Sequence, residues 1–187
     1  ESNLFGVRTN QKGVPLFSVG GGWNISEENF YQIKWLPDFR FRITHGNYGN
    51  VNKSVTAYTT AEISSLNSYR NITNVITNPP NPDLRWEKLT MTNFGIDFKV
   101  ANDIIEGKIE FYLKKGTDLI GLGPLDPTTG NRQYQGNVGS MSGHGFDIAV
   151  TTRNINRGMQ WSTILLFNHA KDKVISYKIM QNSIAFY

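Results

Sequence analysis

The chain has 187 residues, of which 39% are hydrophobic and 12% aromatic, and it carries a formal net charge of +4 at pH 7. The charge is small and the basic residues are dispersed, which argues against nucleic-acid binding. The chain has no cysteine, which excludes disulfides and cysteine-based metal sites. No apolar run is long enough for a transmembrane helix, but alternating barrel strands leave no such signal, so a membrane location stays open.

Three strands are predicted in the first part of the chain, at residues 4–9, 15–23 and 36–48. A polar turn at residues 10–13 joins the first two. The connector over residues 24–38 is predicted to contain a short helix that Ser26 caps. The glycines at 20–22 are interpreted as a closely approached strand, because the Lys-Ser/Thr and the helix of a phosphate loop do not follow them.

The clearest pattern in the chain is a strict alternation within residues 86–115. Apolar and polar side chains alternate over residues 94–100 and again over 105–113, with a turn-prone tripeptide at 101–103 between them. Helical spacing fails, because apolar residues at i and i+2 would lie on opposite sides of a helix. The pattern predicts an antiparallel hairpin with one apolar and one polar face. The apolar face comprises Phe94, Ile96, Phe98, Ile105, Ile109, Phe111 and Leu113, and the polar face comprises Asp97, Lys99, Glu106, Lys108 and Glu110.

Two long stretches, residues 49–85 and 116–142, show no sustained period and are predicted to be irregular loops. Later strands are predicted at residues 143–153 and 159–168, with a polar turn at 154–158 and the start of a further strand within 173–180. After the second strand the connections are therefore moderate, long, short, long and short.

This alternation of connection lengths indicates an up-and-down antiparallel sheet with compact turns at one end and long loops at the other. Outer-membrane barrels have such an asymmetry, with short periplasmic turns and long extracellular loops. A tilted strand of about ten residues also matches the height of their apolar band. The pattern alone leaves two alternatives, a membrane barrel and a soluble sheet with one face on a protein core.

Ten short blocks of the chain resemble the SusC/RagA family of TonB-linked outer-membrane transporters of Bacteroidota. The most specific block is NPDLRWEK at residues 81–88, and the order and spacing of all ten carry the resemblance. The blocks lie at residues 4–6, 17–20, 22–28, 42–50, 81–88, 93–97, 112–120, 136–139, 143–147 and 168–174.

The resemblance implies an all-β fold, part of a large transmembrane β-barrel of the plugged 22-stranded class. Residues 1–187 would form one partial barrel domain, without the family's plug domain, its TonB-contacting segment or its C-terminal strands. The implied protein is an active importer of oligosaccharides or peptides in the cell outer membrane. Its implied partners are a SusD-like surface lipoprotein, TonB, membrane lipid and the glycan or peptide ligand. The alternative function is a soluble β-rich binding or adhesion module.

Candidate ligand-binding residues are aromatic and arginine side chains on the two predicted long loops. Such side chains suit sugars or peptides, although packing within the loops would also explain them. They are Tyr58, Tyr69, Arg70, Arg132 and Tyr134. For Trp86 and Glu87, in the most specific block, the sequence leaves open whether they bind ligand or anchor the strand.

Neither a metal site nor an enzyme is predicted, and no cofactor is expected. The histidines His45, His144 and His169 lie in different segments without ligand spacing. The carboxylates at 97 and 106–110 alternate with lysines, so cross-strand pairing in a wet lumen explains them better than catalysis. No serine lies in a Gly-x-Ser-x-Gly turn.

Overall fold

The computed structural model describes residues 15–50, 52, 54–66, 69, 71–100 and 103–178. The predicted strand at 4–9 and its turn at 10–13 lie outside the described residues. Eight strands are present in the described part: β1 Phe17–Asn24, β2 Asp38–Asn50, β3 Thr60–Leu66, β4 Ile72–Asn78, β5 Glu87–Lys99, β6 Ile105–Pro124, β7 Gln133–Arg157 and β8 Met159–Tyr177. Two short 3-10 helices, Ile25–Glu27 and Pro127–Thr129, also lie within the described residues.

Six strands form one antiparallel sheet in the order β1-β2-β5-β6-β7-β8, and β3 and β4 form a separate hairpin. The fold is therefore all-β, with the up-and-down order that the connection lengths predicted. The β1–β2 connector and the turns after β5 and β7 lie at one end of the sheet, here the turn end. The β2–β5 and β6–β7 connections lie at the opposite end, here the loop end.

The two turns that follow β5 and β7 are tight because single residues adopt positive φ. Asp103 has a φ of 54° before β6, and Gly158 has a φ of 69° between β7 and β8. Gly158 is the one residue between those two strands, so the predicted turn over 154–158 is shorter than expected.

The register separates the apolar and polar residues of each strand, as the alternation predicted. One row of paired residues crosses all six strands and is apolar throughout: Trp23, Phe41, Ile96, Ile109, Ile148 and Phe167. The neighbouring positions, such as Asp97 and its partner Lys108, belong to the other face. We call these two surfaces the apolar face and the polar face.

The predictions for four segments of the chain were wrong. The stretch over residues 49–85 contains the β3–β4 hairpin, and most of residues 116–142 belongs to β6 and β7. Residues 173–177 continue β8 and do not start a new strand. The short helix after β1 is a 3-10 turn whose Ser26 lies inside it, so Ser26 is not its cap.

Few side chains are buried in the described part of the chain. The buried apolar residues are Val55, Ala57, Leu84 and Val138, and all four lie at the loop end. Apolar side chains along the sheet are exposed instead, for example Phe167 at 51%. No helix among the described residues is long and apolar enough to cross a membrane.

Candidate functional site at the loop end

The described candidates for ligand binding lie at the loop end, but the structure does not join them into one cluster. Tyr58 is 61% exposed in the segment before β3, and Tyr69 is 85% exposed between β3 and β4. Arg132 and Tyr134 lie at the tip of the β6–β7 hairpin. Arg70 lies outside the described residues. Of the described candidates, Tyr134 alone lines the cleft between the two loops.

This cleft has a volume of about 250 Å³ and separates the β3–β4 base from the β6–β7 tip. It is lined by Ser54, Thr56, Thr60, Thr77, Asn78, Pro79, Leu122, Gln133, Tyr134 and Gln135. None of these side chains is charged. Hydroxyls and carboxamides both donate and accept hydrogen bonds, so the lining suits neutral polar groups such as sugar hydroxyls and peptide amides.

The Tyr134 ring packs over two glycines at neighbouring positions of the β6–β7 hairpin. A Cβ on Gly123 would lie 3.1 Å from the ring, and one on Gly136 would overlap it. Packing within the loop, which the sequence left as an alternative for this residue, therefore explains part of its role.

A small apolar core lies beside the cleft. Leu84 is 1% exposed and packs with Val55 and Ala57, and the partly buried Trp86 and Ile120 border them. We call these five residues the loop core. The Trp86 ring also covers a glycine of β2, since a Cβ on Gly49 would lie 2.9 Å from Trp86 Cε3. These contacts give Trp86 a packing role. The sequence had left open whether this residue binds ligand or anchors the strand.

Hydrogen bonds tie the segment after Leu84 to β6 and β7. The Asn137 carboxamide accepts from the backbone N–H of Arg85 at 2.8 Å and donates to the Arg85 carbonyl at 2.7 Å. The same carboxamide donates to the Asp118 carbonyl at 2.5 Å. Arg85 donates from Nη2 to Asp118 Oδ1 at 2.5 Å, and this hydrogen bond raises the pKa of Arg85, which stays protonated.

Two further side chains extend this network. Glu87 Oε1 accepts from the backbone N–H of Ile120 at 2.8 Å, while its Oε2 accepts from Asn50 at 2.7 Å. Asn81 donates from Nδ2 to the Gln135 carbonyl at 2.8 Å. We call the connecting residues the loop clamp: Asn81, Arg85, Glu87, Asp118 and Asn137. All five residues lie within the family blocks, but the sequence predicts no contact among them, because the three blocks are separated along the chain.

The polar face carries a second charged group, centred on Arg42. Its Nε donates to Asp97 Oδ2 at 2.6 Å, and its Nη2 donates to Glu110 Oε1 at 2.9 Å. Charge pairing across strands is therefore present as predicted, but with a different partner. Asp97 pairs with an arginine of β2, whereas Lys108, its register partner, makes no ion pair among the described residues.

The histidines occupy separate positions on the sheet. His45 shares a hydrogen bond with Thr92 at 2.8 Å, and His169 packs on the ring of Phe146 at 5.5 Å between centroids. Among the described residues, no three His, Cys, Asp or Glu side chains come together as a metal site would require.

Comparison with protein families gives a match over nearly the whole chain. Residues 3–181 match the family described as TonB dependent receptor-like, beta-barrel. The TonB-dependent receptor SusC of Bacteroides thetaiotaomicron is 31% identical over 165 residues, which is 81% of this chain and 16% of that protein. The TonB-dependent receptor P26 of Formosa agariphila is 25% identical over 84% of this chain and 16% of its own length. The chain thus spans about a sixth of the length of the curated relatives it matches.

Solved structures share the fold. The structure of the RagAB peptide transporter superposes with a TM-score of 0.78 at 22% identity, over 92% of this chain and 19% of the matched chain. The RagAB peptide importer in its closed-closed state gives 0.79 at 22% identity over 94% of this chain and 20% of the matched chain. The described sheet accordingly has the fold of part of a β-barrel wall. The chain belongs to the TonB-dependent receptor-like β-barrel family, as its resemblance to the SusC/RagA transporters predicted.

Proposed function

We propose that this chain is part of the barrel wall of an outer-membrane active transporter that imports oligosaccharides or peptides. On this proposal residues 1–187 form a partial barrel domain of the 22-stranded class, and the remaining strands and the plug belong to the rest of the parent protein. The parent takes energy from TonB and works with a SusD-like surface lipoprotein.

The observation that carries the proposal is the exposed apolar face of the six-stranded sheet. Its rows of Ile, Phe, Leu and Val run across neighbouring strands at one level, and no protein layer covers them in the described part of the chain. A soluble sheet would bury such a face, because exposed apolar patches of this extent are rare on soluble monomers. Membrane lipid is the covering that fits a continuous apolar band.

The polar face supports a water-filled interior. Arg42, Asp97 and Glu110 form their ion pairs on this face while remaining about one-third exposed. Glycines lie next to these side chains, so that the Arg42 guanidinium covers Gly95 on the adjacent strand. Charged and small side chains of this kind line the lumen of barrels that carry solutes.

The chemistry of the loop-end cleft supports a neutral polar ligand. The cleft there is uncharged and rich in hydroxyl and carboxamide groups, which suits an oligosaccharide or the backbone of a peptide. The related RagAB structures are described as those of a peptide transporter, and the relative SusC is named a TonB-dependent receptor.

Deletion of the parent gene tests the import function. Cells lacking it should lose growth on one class of nutrient when oligosaccharides and peptide mixtures are supplied singly as carbon or nitrogen source. Complementation with the intact gene should restore that growth. Unchanged uptake of every supplied nutrient would refute the proposal.

Fractionation tests the alternative of a soluble binding or adhesion module. The native parent protein should sediment with outer membranes and require detergent for extraction. Recovery in the aqueous fraction without detergent would favour the soluble module and overturn the membrane assignment.

A further inference from the structure

Three blocks that are far apart in the sequence meet at one place in the structure. Residues 81–88, 112–120 and 136–139 contribute all five members of the loop clamp. The import proposal assigns no role to this convergence, since none of the five side chains lines the cleft.

The meeting point is an irregularity in β6. The register between β6 and β7 shifts between Gly116 and Leu119, and Asp118 adopts a φ of 58°, in the left-handed region. A bulge of this kind bends a strand and interrupts its hydrogen-bond ladder. The pairing of β5 with β6 also stops here, at Lys88 with Thr117.

Clamp side chains supply hydrogen bonds where the ladder is interrupted. The Asp118 carbonyl accepts from Asn137, and the Ile120 N–H donates to Glu87, two residues beyond the bulge. Asn137 at the same time closes two hydrogen bonds with the Arg85 backbone. One carboxamide thus holds the loop before β5 and the bulged strand β6 in a single arrangement.

We propose that the bulge at Asp118 is a socket for residues 85–87, and that the loop clamp joins the β2–β5 loop and the β6–β7 hairpin into one cooperative unit. The buried side chain of Leu84 fills the apolar part of the same junction. Asn137 and Glu87 are positioning residues on this view. They hold the two walls of the cleft at a fixed separation, a consequence that rests on the proposed import function.

If these contacts were ordinary local packing, the hydrogen bonds of Asn137 and those of Glu87 would open independently. Hydrogen exchange distinguishes that case from a cooperative unit. The measurement is the exchange rate of the Arg85 and Ile120 amides in the full-length parent protein, purified in detergent. Asn137→Ala removes the acceptor of the Arg85 amide, and Glu87→Ala removes the acceptor of the Ile120 amide. In a cooperative unit each substitution should accelerate exchange at both amides by about tenfold. The double variant should exchange little faster than either single variant.

Matched variants complete the test. Glu87→Gln retains an acceptor oxygen for the Ile120 amide but loses the acceptor for Asn50, so it should accelerate exchange less than Glu87→Ala does. Asn131→Ala removes a carboxamide of the same hairpin that makes no side-chain hydrogen bond among the described residues, and it should change neither amide. If Asn137→Ala fails to fold, Asn137→Asp keeps the acceptor for Arg85 and removes both donations, and it should still accelerate exchange at Ile120. Acceleration confined to the amide that loses its own acceptor, with additive effects in the double variant, would overturn the proposal. The readout requires no transport and is therefore independent of the import function.

Discussion

The Phe98 ring occupies the space above Gly107, its register partner on the neighbouring strand. A Cβ on Gly107 would lie 2.5 Å from Phe98 Cζ and 2.7 Å from Cε1. An aromatic ring laid over a glycine of the adjacent strand covers backbone that a side chain would otherwise cover. Both residues belong to the apolar face, so this contact is part of the surface that we assign to lipid.

Gly107→Ala should destabilise the barrel, because the new methyl group displaces the Phe98 ring. The contacted atoms are the far end of a side chain, so we expect a cost of about 1 kcal/mol, at the low end for overpacking. Thermal unfolding of the purified parent measures it. Gly21→Ala is the matched control, since a Cβ there meets no atom within 4 Å. Equal unfolding temperatures for the two variants would contradict the predicted contact.

The two faces of the β5–β6 hairpin give a second prediction. Ile109→Lys and Ile96→Lys should impair barrel assembly, because a lysine facing lipid near mid-membrane costs about 2–4 kcal/mol. Lys108→Ala, on the polar face, should assemble normally. Heat-modifiable migration in isolated outer membranes reports assembly. Normal folding of Ile109→Lys would show that Ile109 does not face lipid, and a register slip by one residue would exchange the two outcomes.

Arg42→Ala should weaken the barrel modestly, because it leaves the carboxylates of Asp97 and Glu110 without their shared cation. The three side chains are partly exposed, so we expect about 1 kcal/mol or less. The loss should shrink at high salt, where screening weakens the ion pairs. Arg40→Ala removes an arginine of the same strand that has no ion pair among the described residues, and it should have a smaller effect on thermal unfolding.

The loop-end candidates should separate into ligand-binding and packing residues. Tyr69→Ala and Arg132→Ala should leave barrel assembly unchanged, and a role in binding would appear as weaker uptake of the nutrient identified by gene deletion. Tyr134→Ala should in addition lower thermal stability, because its ring packs over Gly136 and Gly123. Unchanged uptake by Tyr69→Ala and Arg132→Ala would remove both residues from the proposed binding surface.

The tip of the β6–β7 hairpin should respond to acid. The Asp126 carboxylate accepts from the backbone N–H of Thr128 at 2.9 Å and from its hydroxyl at 2.8 Å, and these hydrogen bonds lower the pKa of Asp126. A lowered folded-state pKa gives a stabilisation that is present above the unfolded pKa and is lost as the pH falls through the folded value. The Thr128 amide should therefore be more protected from hydrogen exchange above about pH 4 than in stronger acid. Asp126→Asn keeps an acceptor oxygen and should remove this pH dependence.

Sequence reasoning located the strands that have one wet and one apolar face. Residues 94–113 alternate strictly because each position faces either of two different environments, and the observed register follows that alternation. The β3–β4 hairpin escaped this reasoning, since Thr73, Asn74 and Thr77 interrupt its apolar residues. Residues 116–124 of β6 and 133–142 of β7 escaped it as well, because glycines and polar residues interrupt their alternation.

The loop clamp was inaccessible to sequence reasoning for a different reason. Arg85 and Asn137 are separated by more than fifty residues, and nothing local in either segment indicates the other. Family blocks marked both positions without saying that they meet. The positive φ of Asp118 was equally hidden, because aspartate at this position reads as an ordinary turn residue.

The length of the β6–β7 hairpin has a thermodynamic consequence for recognition. The 25 residues of β7 span roughly 80 Å along the strand, whereas the apolar band of a barrel is roughly 25 Å tall. Even with a strong tilt, much of the hairpin stands beyond the band as sheet. The conformational entropy of that segment is lost when the barrel folds, so a ligand of the proposed importer need not order it again on binding. Selectivity at such a rim would change by side-chain substitution, because a preformed strand has little freedom to mould itself around a new ligand.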